Sequence, residues 1–194
     1  MLVNTHWFAS RTLKRLVAAT AMLLFVAVPH AQTGALAFPP LPEPATAGMP
    51  ALKAIGGGLL RIFGFRIYNA YLWTPGGSAF DHRKPYVLDI HYLRDFTAKQ
   101  LAERSIDEMR DQGVGHDGVY RKWVAEMQRV FADVKEGDRL TGVATAARSA
   151  KFFYNGAFRG EIADADFTDA FFGIWLNEKS SQPRMRNQLL GKSD

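Results

Sequence analysis

Ala150-Lys151-Phe152-Phe153-Tyr154-Asn155-Gly156-Ala157-Phe158-Arg159-Gly160-Glu161-Ile162 carries the sharpest local signal in the chain. Two short aromatic-rich runs flank Asn155-Gly156, the pair favoured in two-residue hairpin turns because both central residues need positive φ. An antiparallel hairpin at this point sets the fold class, and the neighbouring segments follow from it. Upstream, the turn Glu136-Gly137-Asp138 leads into a strand expected near 139–146. Downstream, Asp164 or Asp166 can cap a helix whose residues Phe167, Ala170, Phe171, Ile174 and Trp175 recur at helical spacing. A last short helix starts with Pro183 in its first turn and stops at Gly191.

The N-terminal half supplies the rest of the sheet and two more helices. Ile55-Gly56-Gly57-Gly58 opens a β region. Leu59–Phe63 and Phe65–Trp73 read as strands joined by a tight turn at Gly64, and Thr74-Pro75-Gly76-Gly77 stops the second. Tyr86–Leu93 is another strand. Thr97-Ala98-Lys99-Gln100 fits a capping box, with Ala102, Ile106 and Met109 following at helical spacing until Gly113. A second helix over about 118–132 carries the apolar stripe Val119, Tyr120, Trp123, Met127, Val130 and Phe131. Strands, two helices, a hairpin and two helices make an α+β layout, with a helical layer on one face of a large antiparallel sheet. No internal repeat and no second domain is evident.

Composition narrows the class of protein. The chain has 194 residues, 47% hydrophobic and 22% charged, with no cysteine and a net charge of +5. That is ordinary for a globular domain able to bury its own core without disulfides. Arg11, Lys14 and Arg15 hold most of the excess charge, and without them 21 basic residues face 19 acidic ones. There is no Lys/Arg run of the kind that marks a nucleic-acid surface, so no nucleic-acid partner is expected.

Residues 1–31 have the layout of a secretory signal peptide: a basic start, the apolar run Leu16–Val28, then Pro29-His30-Ala31. Cleavage after Ala31 or after Ala37 is expected, giving a periplasmic protein with no stable membrane span once the signal is removed. The apolar run is shorter than the ~20 residues needed to cross a bilayer. Residues 32–50 form a Pro-rich lead-in of polyproline-like chain, expected to pack on the surface of a domain over 51–191.

Several stretches together resemble a known family. They are Gly64-Phe65-Arg66-Ile67-Tyr68-Asn69-Ala70-Tyr71-Leu72-Trp73, His91-Tyr92-Leu93-Arg94-Asp95-Phe96-Thr97, Glu136-Gly137-Asp138-Arg139-Leu140, Tyr154-Asn155-Gly156, Gly173-Ile174-Trp175-Leu176 and Leu189-Leu190-Gly191. In this order the chain resembles bacterial exported proteins of the chalcone isomerase-like family. The resemblance implies an open-faced sandwich with a cleft between sheet and helices. In the plant isomerases that cleft holds a flavonoid, and in related non-catalytic plant proteins a fatty acid. It also implies a test, because the enzymes use an arginine before the core strand, a threonine on it, and a tyrosine and an asparagine seven apart on the next helix. Here those positions fall at Gly57 and Gly58, at Tyr68, and near Leu101 and Glu108. No catalytic residue is therefore assigned.

A small apolar or fatty-acid-like ligand needs an apolar tunnel and one or two groups for its head. Arg61 and Tyr68, on neighbouring strands, are the leading pair for a carboxylate, since guanidinium bonds carboxylate in parallel. Phe152, Phe171 and Trp175 are candidates for the wall. The alternatives are a solvated Arg61 on the outer sheet face, Tyr68 as a core tyrosine, and Phe171 and Trp175 as plain core. Arg94-Asp95 is expected to form an ion pair at the strand-to-helix corner. His91 is read as structural. His82, His91 and His116 lack ligand spacing, so no metal is expected. The glycines at 56–58 precede a strand, Gly191-Lys192-Ser193 lacks a phosphate-loop context, and Gly76-Gly77-Ser78 is no nucleophile elbow, so no cofactor is expected. Two further readings stay open: an isomerase or lyase with a rearranged site, and a structural or partner-binding envelope protein whose cleft is filled.

Overall fold

Asn155 and Gly156 take φ 47° and 84° and turn the chain back on itself as their sequence demands. The computed structural model describes residues 38–192. The signal segment 1–31, both cleavage positions and the lead-in up to residue 37 lie outside the described residues. Six strands, β1 (Leu52–Ile62), β2 (Phe65–Pro75), β3 (Tyr86–Tyr92), β4 (Arg139–Ala144), β5 (Ala150–Tyr154) and β6 (Ala157–Ile162), pair in chain order. Every pairing is antiparallel. The helices are α1 (Glu43–Thr46), α2 (Ala98–Asp111), α3 (Asp117–Val130), α4 (Ala165–Leu176) and α5 (Pro183–Leu189).

The helices start where local chemistry lets them. Thr97 accepts from the Gln100 amide (3.2 Å) and the Gln100 side chain accepts from the Thr97 amide (2.8 Å), which completes the capping box of α2. Such caps contribute about 1 kcal/mol. Asp164, not Asp166, caps α4 through the Phe167 amide (3.0 Å). Its other oxygen accepts from Lys122 (2.9 Å) and Trp123 (3.3 Å), which ties α4 to α3. The main core lies between helices and sheet, where Leu72, Leu88 and Phe152 meet Trp123, Met127 and Phe167.

Strand β1 begins at Leu52 and runs straight through the glycines, three residues earlier than its apolar content suggests. The reason is contact with α5. A Cβ on Gly56 would lie 2.1 Å from the Gln188 carbonyl oxygen, so only glycine lets the end of that helix rest on the strand. The lead-in also departs from pure polyproline, because Glu43–Thr46 makes one helical turn with Pro44 near its start. That turn covers the far face of the sheet, where Ala45 joins Val87, Val143 and Phe153 in a small second core. Middle strand β3 is therefore buried on both faces.

Under the lead-in sits a wholly buried carboxylate. Asp89 accepts from Arg139 Nε (2.6 Å) and Thr141 Oγ1 (2.7 Å) on one oxygen and from His91 Nε2 (2.7 Å) on the other. Arg139 Nη1 also donates to the Pro40 carbonyl (2.8 Å), clamping the lead-in to β4. His91 is thus structural. The expected Arg94–Asp95 pair is not formed: Asp95 accepts the Glu136 amide (2.8 Å), and the Arg94 guanidinium lies over the Phe65 ring at 4.6 Å.

Burial pushes the Asp89 carboxyl up, but the bonds from His91, Arg139 and Thr141 with the charge of Arg139 outweigh it, leaving its pKa below the usual carboxylate value. Its contribution to stability is complete above the ordinary aspartate pKa near 3.9 and is lost as pH falls through the lower folded value. Asp89→Ala should destabilise the domain by about 3–5 kcal/mol, since it leaves Arg139 without its buried counter-ion. Urea unfolding at neutral pH measures this, and the deficit should shrink as the pH is lowered below about 4.

Candidate functional site

Where the helical layer passes the β1–β2 turn it stands off the sheet and leaves a cavity of about 520 Å³. That lies within the range of roughly 300–1,000 Å³ typical of small-molecule sites. Its sheet side is Leu60, Ile67, Tyr68, Ile90 and Tyr92. Helix α2 presents Leu101, Arg104, Ser105 and Glu108, and α4 presents Phe171, Ile174 and Trp175. Phe131 and Leu140, both buried, close the inner end, while the exposed Arg94, Gln100 and Arg104 stand at the opening. Among the described residues no side chain fills the hollow, so a packed, solid cleft is not what they build.

Polar groups gather on one side of this apolar space. Trp175 Nε1 donates to the Tyr68 hydroxyl oxygen at 2.8 Å, joining α4 to β2. The Tyr68 proton has no acceptor among the described residues and remains available to a ligand. Glu108 is buried. Arg104 Nη2 donates to its Oε1, and Ser181 Oγ donates to its Oε2 at 2.7 Å. Burial pushes the Tyr68 phenol pKa far up, against the Trp175 hydrogen bond that lowers it, and the Glu108 and Arg104 charges act on it from nearby. Burial likewise raises that of Tyr92, whose ring meets Tyr68 edge-on at 6.0 Å. Both phenols are neutral at physiological pH.

Three of the five residues proposed from sequence, Tyr68, Phe171 and Trp175, line the cavity. Phe152 does not. It is fully buried behind the wall, its ring 5.2 Å from both Phe131 and Phe171. Arg61 does not either. Leu60 pairs with Tyr68 and points inward, so the next residue on the strand points away. Arg61 lines a separate shallow groove with Arg66, Arg94, Asp95 and Glu136. The cations at the cavity are Arg94, at its opening, and Arg104, which sequence reading missed. Its signal was available: Leu101, Arg104, Ser105 and Glu108 share one face of α2 by the i, i+3, i+4, i+7 rule.

Leu101 and Glu108 stand in the cavity where the isomerases are expected to carry a tyrosine and an asparagine. A side chain at Gly58 would displace the Gln188 side chain, whose Oε1 would lie 2.6 Å from its Cβ. Among the described residues, no cluster of three or more His, Cys, Asp or Glu could hold a metal ion. None of their helices is long and apolar enough to cross a membrane.

An open antiparallel sheet with a helical layer and a partly open apolar cavity between them defines an α+β open-faced sandwich. The chain belongs to the chalcone isomerase-like family, whose profile matches residues 37–191. It is 31% identical over 129 residues to a Haemophilus influenzae (strain ATCC 51907 / DSM 11121 / KW20 / Rd) protein described as uncharacterized, covering 66% of this chain and 63% of that protein's length. In structure it resembles a fatty-acid binding protein of Arabidopsis thaliana, with a TM-score of 0.57 and 8% identity over 72% of this chain and 87% of the other. At that identity the likeness is one of fold.

Tyr68→Phe should destabilise the domain by about 1–3 kcal/mol, because it strands the half-buried Trp175 N–H without an acceptor. Tyr68→Phe combined with Trp175→Phe should lose less than the two single losses added together. Thermal unfolding of the four proteins in the cycle measures the coupling.

Proposed function

We propose that this protein is an exported, periplasmic, non-catalytic carrier or sensor that holds a fatty acid or similar small amphiphile in the cavity beside Tyr68. The observation that carries the reading is the segregation inside that cavity. Tyr68, Arg104, Glu108 and Ser181 stand together, Arg94, Gln100, Ser105 and Gln182 are the other polar residues of the lining, and aromatic and aliphatic side chains make up the rest. An apolar tail fits against Phe131, Leu140 and Phe171, and a polar head meets Tyr68 and Arg104. The Arabidopsis protein of the same fold is named for fatty-acid binding, which supports this class of ligand. Export rests on the basic and apolar N-terminal segment ending near Ala31 or Ala37.

Glu108 shapes how a head group is held. It is already the counter-ion of Arg104, so a ligand carboxylate competes with it, whereas a neutral hydroxyl or ester head does not. The affinity for a free acid is thereby held down, which suits a protein that must also release its cargo. The same pairing argues against an isomerase of the plant type. Such an enzyme needs a free cation beside the phenolate, and here Arg104 is paired with a buried carboxylate while Arg94, at the opening, lies over the Phe65 ring.

Native mass spectrometry of the purified protein should show a copurified lipid. In a fluorescent fatty-acid displacement titration, Arg104→Ala should weaken binding by about 1.5–3 kcal/mol, the size of a charged hydrogen bond. Glu108→Gln should tighten it, and Arg61→Ala should leave it unchanged. A protein that carries no lipid and binds no fatty acid, yet bleaches a chalcone's absorbance on mixing, would replace this reading with the isomerase one.

A further inference from the structure

We infer that the β1–β2 hairpin tip, Ile62-Phe63-Gly64-Phe65, docks the protein on the surface of an anionic lipid bilayer. Single exposed apolar residues are normal on a protein surface, but clusters need a reason. Three of the five exposed large apolar residues among the described ones sit around this one turn: Ile62 (38% exposed), Phe63 (96%) and Phe65 (58%). The turn itself is informative. Phe63 and Gly64 have φ 48° and 81°, nearly the same as Asn155 and Gly156 at the other tight hairpin. Asparagine tolerates that left-handed conformation, and a bulky aromatic residue does not. Folding alone favours asparagine at position 63. The chain instead accepts backbone strain to hold a phenyl ring in water, packed on almost nothing.

The surroundings say what the ring meets. Arg61 and Arg66 flank the tip on its two strands, and Arg94 lies over Phe65. Asp95 and Glu136 are the acidic residues of the same groove, so the collar stays net positive. An aromatic tip with a guanidinium collar fits a bilayer interface, with rings at the acyl boundary and arginines among phosphates. A second copy of the chain fits poorly, because a two-fold contact sets this patch against itself and brings like charges together. Phe63 and Phe65 also border the opening of the cavity, so docking here turns that opening toward the membrane. The inference goes beyond the carrier reading and does not depend on it.

The chain has no cysteine, so a single one reports on one place. Full-length protein carrying Phe63→Cys labelled with an environment-sensitive nitrobenzoxadiazole dye should show a blue shift with phosphatidylcholine–phosphatidylglycerol vesicles. The same dye at Ser78→Cys, at the other end of β2, should not respond. Phe63→Asn should keep or raise the melting temperature while weakening vesicle binding by roughly tenfold or more, the loss of one buried phenyl ring. Arg61→Gln with Arg66→Gln should abolish the preference for phosphatidylglycerol over phosphatidylcholine alone. Equal dye responses at both positions, or Phe63→Asn vesicle binding equal to that of the unchanged chain, would overturn the inference. Residues 1–37 are common to all these proteins, so differences between them arise at the tip. A protein without bound lipid that still gives the tip response would sink the carrier reading and leave this one standing.

Discussion

Direct backbone contact between α5 and β1 sets the geometry on which the cavity depends. The end of α5 rests on Gly56, and Gln188 and Met185 lie over Gly58, so the helical layer is held hard against one edge of the sheet. At the other edge Gly160 lies under Val130 of α3, with a Cβ there only 2.8 Å from its methyl carbon. Close approach of this kind needs residues without side chains. Between the two edges, spacing is set by rings: Phe152, Phe167 and Phe171 pack mutually at 5.2–6.4 Å between centroids. Toward the β1–β2 turn that filling stops while the helices continue, and a hollow is the geometric result.

The same frame explains why the hollow binds rather than catalyses in the proposed account. Several of its polar residues are mutually engaged: Trp175 with Tyr68, and Arg104 and Ser181 with Glu108. Such engaged groups orient a head group, and Glu108 offsets the Arg104 charge that would otherwise face a developing anion. The far face of the sheet is a separate structural device. There Asp89 binds three strand residues, and one of them, Arg139, reaches the lead-in at Pro40.

Much of the fold was legible in the sequence, because its signals are local. Asn155-Gly156 fixes a turn by its own backbone preference, Thr97 and Gln100 cap each other, and Phe167 to Trp175 repeat at helical spacing. The site was legible only in part. Tyr68, Phe171 and Trp175 line it, but strand alternation from the inward Leu60 turns Arg61 to the outer side, and Phe152 lies one layer too deep. Glu108 was legible only as a departure from the enzyme pattern, and Arg104 lies beside it on a face of α2 away from the apolar stripe Ala102, Ile106 and Met109. The start of β1 at Leu52 and the turn at Glu43–Thr46 were hidden because both depend on what packs over them, α5 in one case and the sheet's far face in the other.

Trp175 offers the most direct probe of the central claim, since its indole N–H points at the oxygen of Tyr68 on the cavity wall. In a proton–nitrogen correlation spectrum of the labelled protein, titration with a long-chain fatty acid should shift the Trp175 indole resonance. Those of Trp73, under the lead-in, and Trp123, bonded to Asp164, should stay in place. An unmoved Trp175 signal at saturating fatty acid, or a shift confined to Trp73, would contradict the account.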